Sequence, residues 1–346
     1  MQPSLSNANR LMREGRHADA LAAYQHLVQA GHPMKDHIAR NIAVCELQIR
    51  ASGTVKRRGP SAPQAPTHEQ ADVVVCMTTI QSRLPPLRKV LETLHAQDHP
   101  PSAIRLYISH EPYLLDAGVR EDDPTLKSLM DLPLLQIRWV PNTGPYRKIM
   151  PFLEQHFANH LTRDRLFVTV DDDTLYPEHF LSTLVSEFRR HDCVIAFRGR
   201  ELKLEDDRIA SYATWGIGLD RADLANVPTG KDGVLYSTRF FTRDFLRLKD
   251  ALETSPTADD LWIKWHCALN GVPSLILRPE ACTSDYKSFP VVDYSKEYRG
   301  NSLYANFNST ASHGRNDASV GKLESHFEKL HGHGLGYLIT SSRTNA

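Results

Sequence analysis

The sequence lacks a long hydrophobic run, a surplus of charge of either sign, and any paired cysteine pattern. No apolar stretch reaches the roughly 18 to 20 residues that a helix needs to cross a bilayer, so no transmembrane segment is expected. The opening MQPSLSNANRLMREGRH has no apolar h-region, which argues against a secretory signal. Lys plus Arg and Asp plus Glu each number 41, for a formal charge of zero. Without a basic excess to neutralise phosphates, a nucleic-acid partner is not expected. The five cysteines, Cys45, Cys76, Cys193, Cys267 and Cys282, are odd in number and never two residues apart. That excludes a simple disulfide framework or zinc ribbon and fits free thiols in a reducing cytoplasm. What is present is 346 residues that are 41% apolar and 24% charged. This is globular composition with enough core for one large domain or two smaller ones.

Residues 1–50 carry apolar stripes at helical spacing. Leu5, Ala8, Leu11 and Met12 form the first. Ala20, Leu21, Tyr24, Leu27 and Val28 form the second, and Ile38, Ile42, Cys45 and Ile49 the third. Ala8, Gly15, Ala20 and Tyr24 give ANRLMREGRHADALAAYQHLVQAG a resemblance to a tetratricopeptide helix pair. Only about one and a half repeats fit, fewer than a free solenoid needs. The resemblance therefore implies a docking hairpin, for a protein partner or for self-association. Residues 51–70 hold no periodicity and several prolines and glycines, the composition of a flexible linker. Lys56, Arg57 and Arg58 lie there. They offer at best weak peripheral attraction to an anionic inner-membrane surface. Residues 1–70 carry a net +4 and the remainder −4, and neither is extreme.

From residue 71 strands alternate with helices. The expected strands are 72–80, 104–109, 135–140, 166–170 and 193–197. The expected helices are 84–97, 146–161 and one starting near Pro177. This rhythm implies an α/β domain with a mostly parallel sheet flanked by helices. Ligands then bind outside the carboxyl ends of the strands.

The most informative stretch is LFVTVDDDTLYP, where Asp171, Asp172 and Asp173 follow a buried strand. In an extended chain Asp171 and Asp173 would point one way and Asp172 the other. Two carboxylates ~7 Å apart repel by about 2 kcal/mol at an effective dielectric near 20. A divalent cation with oxygen ligands removes that penalty and can clamp a diphosphate. A helix cap would need one such side chain, Asp or Thr174, and three exceed it.

A buried strand ending in D-x-D resembles the metal and nucleotide signature of GT-A-fold glycosyltransferases. Four further segments are similar to that family, and the closest class is the family-two-like bacterial enzymes of surface-polysaccharide synthesis. VVVCMTTIQSR (73–83) resembles the opening strand and loop at the nucleotide base, with Thr78 and Arg83. NTGPYRKIMPFL (142–153) resembles the segment that brings a basic residue, Lys148, to the nucleotide. PTGKDGVLYSTRFF (228–241) looks like the loop lining the sugar and acceptor site, with Gly230 and Gly233. ADDLWIKWHCALNG (258–271) resembles the acidic pair at a helix start that carries the base of inverting members.

The resemblance covers about 71–290, leaving 291–346 as an acceptor loop or lid and a terminal helix at 319–334. It implies a Rossmann-like GT-A domain that moves a sugar from a nucleotide-diphosphate donor to a hydroxyl acceptor such as a glycan. Manganese or magnesium would sit on Asp171 and Asp173, with Asp172 at the nucleotide. The second acid of the pair, Asp260, would be the base, with Asp259 in reserve.

Acids also suit helix starts through the dipole, so Asp259 and Asp260 have a purely structural reading too. Trp215 is a candidate floor for the sugar, with a core role as the alternative. His313 is a candidate third metal ligand, and the polar tract 284–317 a candidate lid. Two rival functions remain. A sugar-phosphate nucleotidyltransferase is disfavoured because the first loop, TTIQSRLPP, has no glycine. An inactive binding protein is disfavoured by the intact acidic clusters.

Overall fold

The computed structural model describes residues 4–13, 16–32, 38, 41–42, 45–46, 72–159, 164–277, 288–293, 295, 300, 306–307 and 315–344. The linker expectation at 51–70, Gly15, Cys282, His313 and most of the tract 284–317 lie outside them. The chain divides into two compact units, Met1–Glu69 with Leu269–Val272, and Gln70–Ala268 with Pro273–Ala346. In the first unit, α1 (Leu5–Arg13) packs on α2 (His17–Gln29). Ala8, Ala20 and Tyr24 are fully buried, because the small residues let the two helices approach around the one aromatic ring.

The second unit begins with β1 (Val73–Thr78), α3 (Leu84–His95), β2 (Ala103–Ile108), α4 (Pro124–Leu129) and β3 (Leu135–Trp139). It continues through α5 (Met150–Ala158), β4 (Leu166–Val170), α6 (Phe180–His191) and β5 (Val194–Ala196). Short strands follow: β6 (Gly199–Glu201), β7 (Leu204–Glu205), β8 (Arg208–Ile209), β9 (Gly216–Ile217) and β10 (Asn226–Pro228). Then come β11 (Val234–Ser237), α7 (Leu248–Thr254), α8 (Asp259–Leu269), β12 (Ser274–Ile276), α9 (Arg315–His331) and α10 (Leu335–Thr344).

Seven strands form the central sheet in the order β12-β5-β11-β4-β1-β2-β3. All neighbours are parallel except β11, which runs antiparallel to β4 and β5. The fold class is therefore the expected one, a mostly parallel sheet flanked by helices. β1 and β4 are apolar on both faces, as strands covered on both sides must be. Phe167 on β4 stacks on Tyr236 of β11 with ring centroids 5.4 Å apart.

Several boundaries differ from the sequence expectation for local reasons. The helix expected over 146–161 starts only at Met150, after a 3₁₀ turn over Gly144–Lys148. Pro151 sits in its first turn, where a missing N–H costs nothing. The helix expected near Pro177 starts at Phe180, whose N–H donates to the Pro177 carbonyl. Neither Asp173 nor Thr174 caps it. The segment 228–241, read as a loop, contains the fully buried strand β11. The terminal helix spans Arg315–His331, ends where Gly332 takes φ +80°, and is followed by α10, which the sequence reading lacked.

The topology positions the site. β1 lies between β2 and β4, so chain order reverses there, and such a switch point opens a crevice at the strand ends. Met77 is registered against Val170, so the chain beyond Thr78 and residues 171–173 leave the sheet side by side. Val234 is registered against Thr169 with the opposite sense. The loop 229–233 therefore arrives at the same edge.

Candidate functional site

The acidic triplet leaves β4 as a turn rather than as extended chain. The alternation expected of the three carboxylates therefore does not hold. Asp172 and Asp173 converge on one guanidinium: Arg83 Nη1 is 2.7 Å from Asp172 Oδ1 and 3.1 Å from Asp173 Oδ2. Asp171 turns the other way, to Lys148 Nζ at 3.3 Å. The Tyr176 hydroxyl oxygen accepts the Asp171 backbone N–H at 2.9 Å and holds that turn.

Asp172 is the buried member. Its second oxygen accepts from the Thr79 hydroxyl at 2.6 Å. Thr78, the expected nucleotide contact, donates instead to the Tyr107 carbonyl on β2 at 2.8 Å. Strand alternation at the end of β1 sends the two threonines to different neighbours. Asp173 keeps about a fifth of its side-chain surface exposed and Asp171 about a third (21% and 32%). Burial, then the neighbouring Asp172 and Asp171, push the Asp173 carboxyl up to about 6 against the pull of Arg83 and Lys231.

Lys148 ties the triplet to the second acidic pair. Its ammonium lies 3.3 Å from Asp171 Oδ1 and 3.3 Å from Asp259 Oδ2, with only 9% of the lysine side chain exposed. Burial pulls this ammonium's pKa down. Asp171, Asp259 and Asp260 outweigh it, and the net displacement is upward. Gly230 makes room for it, since a Cβ there would stand 2.8 Å from Lys148 Nζ and 4.0 Å from Asp171 Oδ1.

Asp259 and Asp260 open α8, where the exposed helix N–H groups favour acids. Their surroundings differ. Asp259 is buried on Lys148, whereas Asp260 Oδ1 accepts only the Leu261 N–H at 3.1 Å. Burial and the adjacent Asp259 push the Asp260 carboxyl up to about 7, with Lys148 partly offsetting.

Two sequence candidates have structural duties elsewhere. Gly233 takes φ +86°, and a Cβ there would meet the Phe180 ring at 2.4 Å. It serves the aromatic cluster of Tyr176, Phe180, Phe197 and Phe289. Trp215 is buried, donates its indole N–H to the Ala210 carbonyl at 2.9 Å and packs on Tyr212. These are core contacts rather than those of an open sugar floor. His313 lies outside the described residues.

The structure adds members that the sequence reading missed. Beneath the triplet, Arg147 and Asp116 form an ion pair at 2.9 Å with both side chains only 2% exposed. The segment 288–292 straps the turn: Val291 bridges to Thr174, Val292 N–H donates to the Asp173 carbonyl, and Leu175 N–H donates to the Pro290 carbonyl. Asp232, fully buried at φ +71°, accepts the Phe289 N–H at 3.1 Å and fixes the same strap to the 229–233 loop. Backbone ladders between distant segments leave no residue pattern, so the strap had no signal. Thr79 did have one: it is the polar residue directly after the buried run of β1.

The cluster brings Asp171, Asp172, Asp173, Asp259 and Asp260 together with Arg83 and Lys148. Carboxylates outnumber the cations that touch them, and burial together with neighbouring carboxylates raises Asp173 and Asp260. Asp171 and Asp173, the two expected metal ligands, turn instead to different cations, Lys148 and Arg83. Among the described residues, no group of three or more His, Cys, Asp or Glu side chains stands ready to hold a metal. The cysteines Cys45, Cys76, Cys193 and Cys267 are buried. Among the described residues no helix is long and apolar enough to cross a membrane.

No protein-family model and no curated relative matches the chain. Among solved structures it is similar to S. aureus TarS 1–349 in complex with UDP, at 14% identity and a TM-score of 0.39, over 74% of this chain and 72% of that one. It is similar to the same protein with UDP-GlcNAc at 14% identity and a TM-score of 0.38, over 74% and 73% of the two chains. A third similar structure is the 4-diphosphocytidyl-2C-methyl-D-erythritol synthase of Anaerococcus prevotii, at 11% identity and a TM-score of 0.40, over 69% of this chain and 98% of that one.

Proposed function

We propose that the protein is a glycosyltransferase of the GT-A type, which moves a sugar from a nucleotide-diphosphate donor to a hydroxyl acceptor with inversion. The observation that carries the reading is Lys148, which joins the strand-end Asp171 to the helix-start Asp259. Through it, a cation that can face a diphosphate lies beside the helix start that carries the candidate base, Asp260.

The two helix-start acids have different surroundings, Asp259 on Lys148 and Asp260 on the Leu261 N–H, which suits a division of labour. Asp260, pushed up to about 7, is basic enough near neutral pH to take the acceptor's hydroxyl proton. The acceptor oxygen then bonds to the anomeric carbon as the bond from that carbon to the phosphate oxygen breaks. The nucleoside diphosphate departs. Asp259 remains ion-paired and holds Lys148 in place. Lys148 and Arg83 carry the positive charge facing the leaving group. A divalent cation, manganese or magnesium, would have to draw Asp171 from Lys148 and Asp173 from Arg83 to be held between them, and would then supply further positive charge against the departing diphosphate. Asp172, engaged by Thr79 and Arg83, orients Arg83.

The test is a panel of nucleotide sugars assayed for hydrolysis and transfer with manganese, magnesium or chelator. Thermal shifts with UDP, GDP and CMP run alongside. Release of nucleoside diphosphate that requires the cation supports the reading. Turnover untouched by chelator overturns the metal assignment. Pyrophosphate release from a nucleoside triphosphate and a sugar phosphate, with no transfer, would make the protein a nucleotidyltransferase instead.

A further inference from the structure

The far edge of the central sheet is strand β3. Among the described residues β3 is the last strand in the order and is hydrogen-bonded to β2 alone. Ile104 N–H donates to the Leu134 carbonyl and Val140 N–H to the Ile108 carbonyl. Even-numbered residues of β3 therefore face β2. Leu135, Ile137 and Trp139 direct their backbone groups outward, apart from Leu135 N–H, which bends back to the Leu132 carbonyl at 3.4 Å. Edge strands normally guard such a row with lysines, prolines or bulges. Here the strand is LQIRW, with one charge and no proline. Apolar side chains beside it reach solvent: Met130 is 65% exposed, Leu134 44% and Trp139, stacked on His110, 37%. These are three of the seven large exposed hydrophobics among the described residues, gathered within one short stretch.

We propose that this edge is the interface with a second copy of the chain, with the two β3 strands antiparallel about a two-fold axis through Ile137. The sequence is self-complementary in that register. Ile137 meets Ile137, and Leu135 meets Trp139. On the opposite face Gln136 meets Arg138, so no like charges are juxtaposed. Within one chain Arg138 Nη2 already donates to Gln136 Oε1 at 3.2 Å, and the same donor and acceptor can pair across the axis. The outward residues fall opposite one another as hydrogen-bonded pairs, giving about four inter-chain bonds with Leu135 N–H left on its own turn. One apolar row of Leu135, Ile137 and Trp139 then continues across the boundary into its mate. Its closed two-fold symmetry makes a discrete dimer rather than a filament. The N-terminal helices, for which self-association was expected from sequence, are not required for it.

The test uses the full chain at roughly 50 μM, a range in which a standard-size interface is occupied, with light scattering for mass. The parent chain is expected to run as a dimer. Ile137→Lys places two ammonium groups on the axis and is expected to give a monomer with an unchanged circular dichroism spectrum. Ile137→Pro removes only an outward N–H, leaves the β2 pairing intact, and is expected to do the same. Register is read by cysteine pairing. Ile137→Cys brings Cα atoms about 5.5 Å apart, inside the range that a disulfide spans. It is expected to cross-link in mild oxidant far faster than Gln136→Cys or the parent. A monomeric parent, a dimer that survives Ile137→Lys, or equal cross-linking at the two positions overturns the proposal.

Discussion

Replacing Lys148 by Met keeps the length and apolar stem of the side chain and deletes its charge. The structure sets the size of the effect. Each of the two contacts, to Asp171 and Asp259, is 3.3 Å long. At an effective dielectric near 20 each is worth ~5 kcal/mol gross. Much of that is offset by the cost of burying the charges. Removal of one partner from a buried pair nevertheless costs about 3–5 kcal/mol, because the carboxylates stay behind uncompensated. The lysine side chain is 9% exposed, so solvent does little to reduce the figure. Asp260 also loses the one cation that restrains its pKa. Its carboxyl rises further, and the ascending limb of the pH–rate profile moves to higher pH. Urea unfolding at pH 7.5 measures the first effect, and kcat/KM across pH 5.5 to 9 the second. A loss below ~1 kcal/mol together with an unmoved limb would show that Lys148 does not couple the two acidic groups, and the reasoning would fail.

Asp260→Asn is expected to bind donor nucleotide normally and to lose transfer, which isothermal titration and product analysis separate; full transfer would move the base elsewhere. The same substitution should stabilise the fold at pH 8. A carboxyl raised from 3.8 to about 7 gives stability that is full at low pH and lost as pH climbs from about 4 to 7. At most ~4 kcal/mol is then recovered above that window when the charge is removed. Equal stability of both proteins at pH 8 would contradict the raised value. Asp173→Ala is expected to abolish the manganese-dependent part of the thermal shift with nucleotide while leaving the apo fold intact. Gly230→Ala and Gly233→Ala should fail differently. The first nudges the flexible end of Lys148 without breaking its ion pairs and lowers activity with little change in melting. The second drives a methyl into Phe180 from a left-handed backbone and costs about 1–3 kcal/mol of stability. Identical phenotypes would place both glycines in one role.

The parts of this protein legible in the sequence are those whose physics is local. β1 and β4 could be read because strands buried on both faces must be apolar throughout. The start of α8 could be read because acids gather where helix N–H groups are exposed. β11 was hidden because VLYS is four residues of a seven-strand sheet, flanked by glycine and threonine loops that dominate its window. Within the site the reading erred wherever it assumed extended chain past the last hydrogen-bonded residue. Alternation sent Asp171 and Asp173 to one side, and the turn sent Asp172 and Asp173 to Arg83 instead. Thr78 was preferred to Thr79 although only the latter faces the acids. Trp215 and Gly233 looked functional by residue type, yet Trp215 packs on Tyr212 and Gly233 leaves room for the Phe180 ring. The pairing of Lys148 with two acids more than twenty residues distant in sequence depends on three separate loops meeting at the switch point. That meeting is fixed by the register of β1, β4 and β11. The sequence therefore discloses which residues carry charge, and the sheet decides which charges share a crevice.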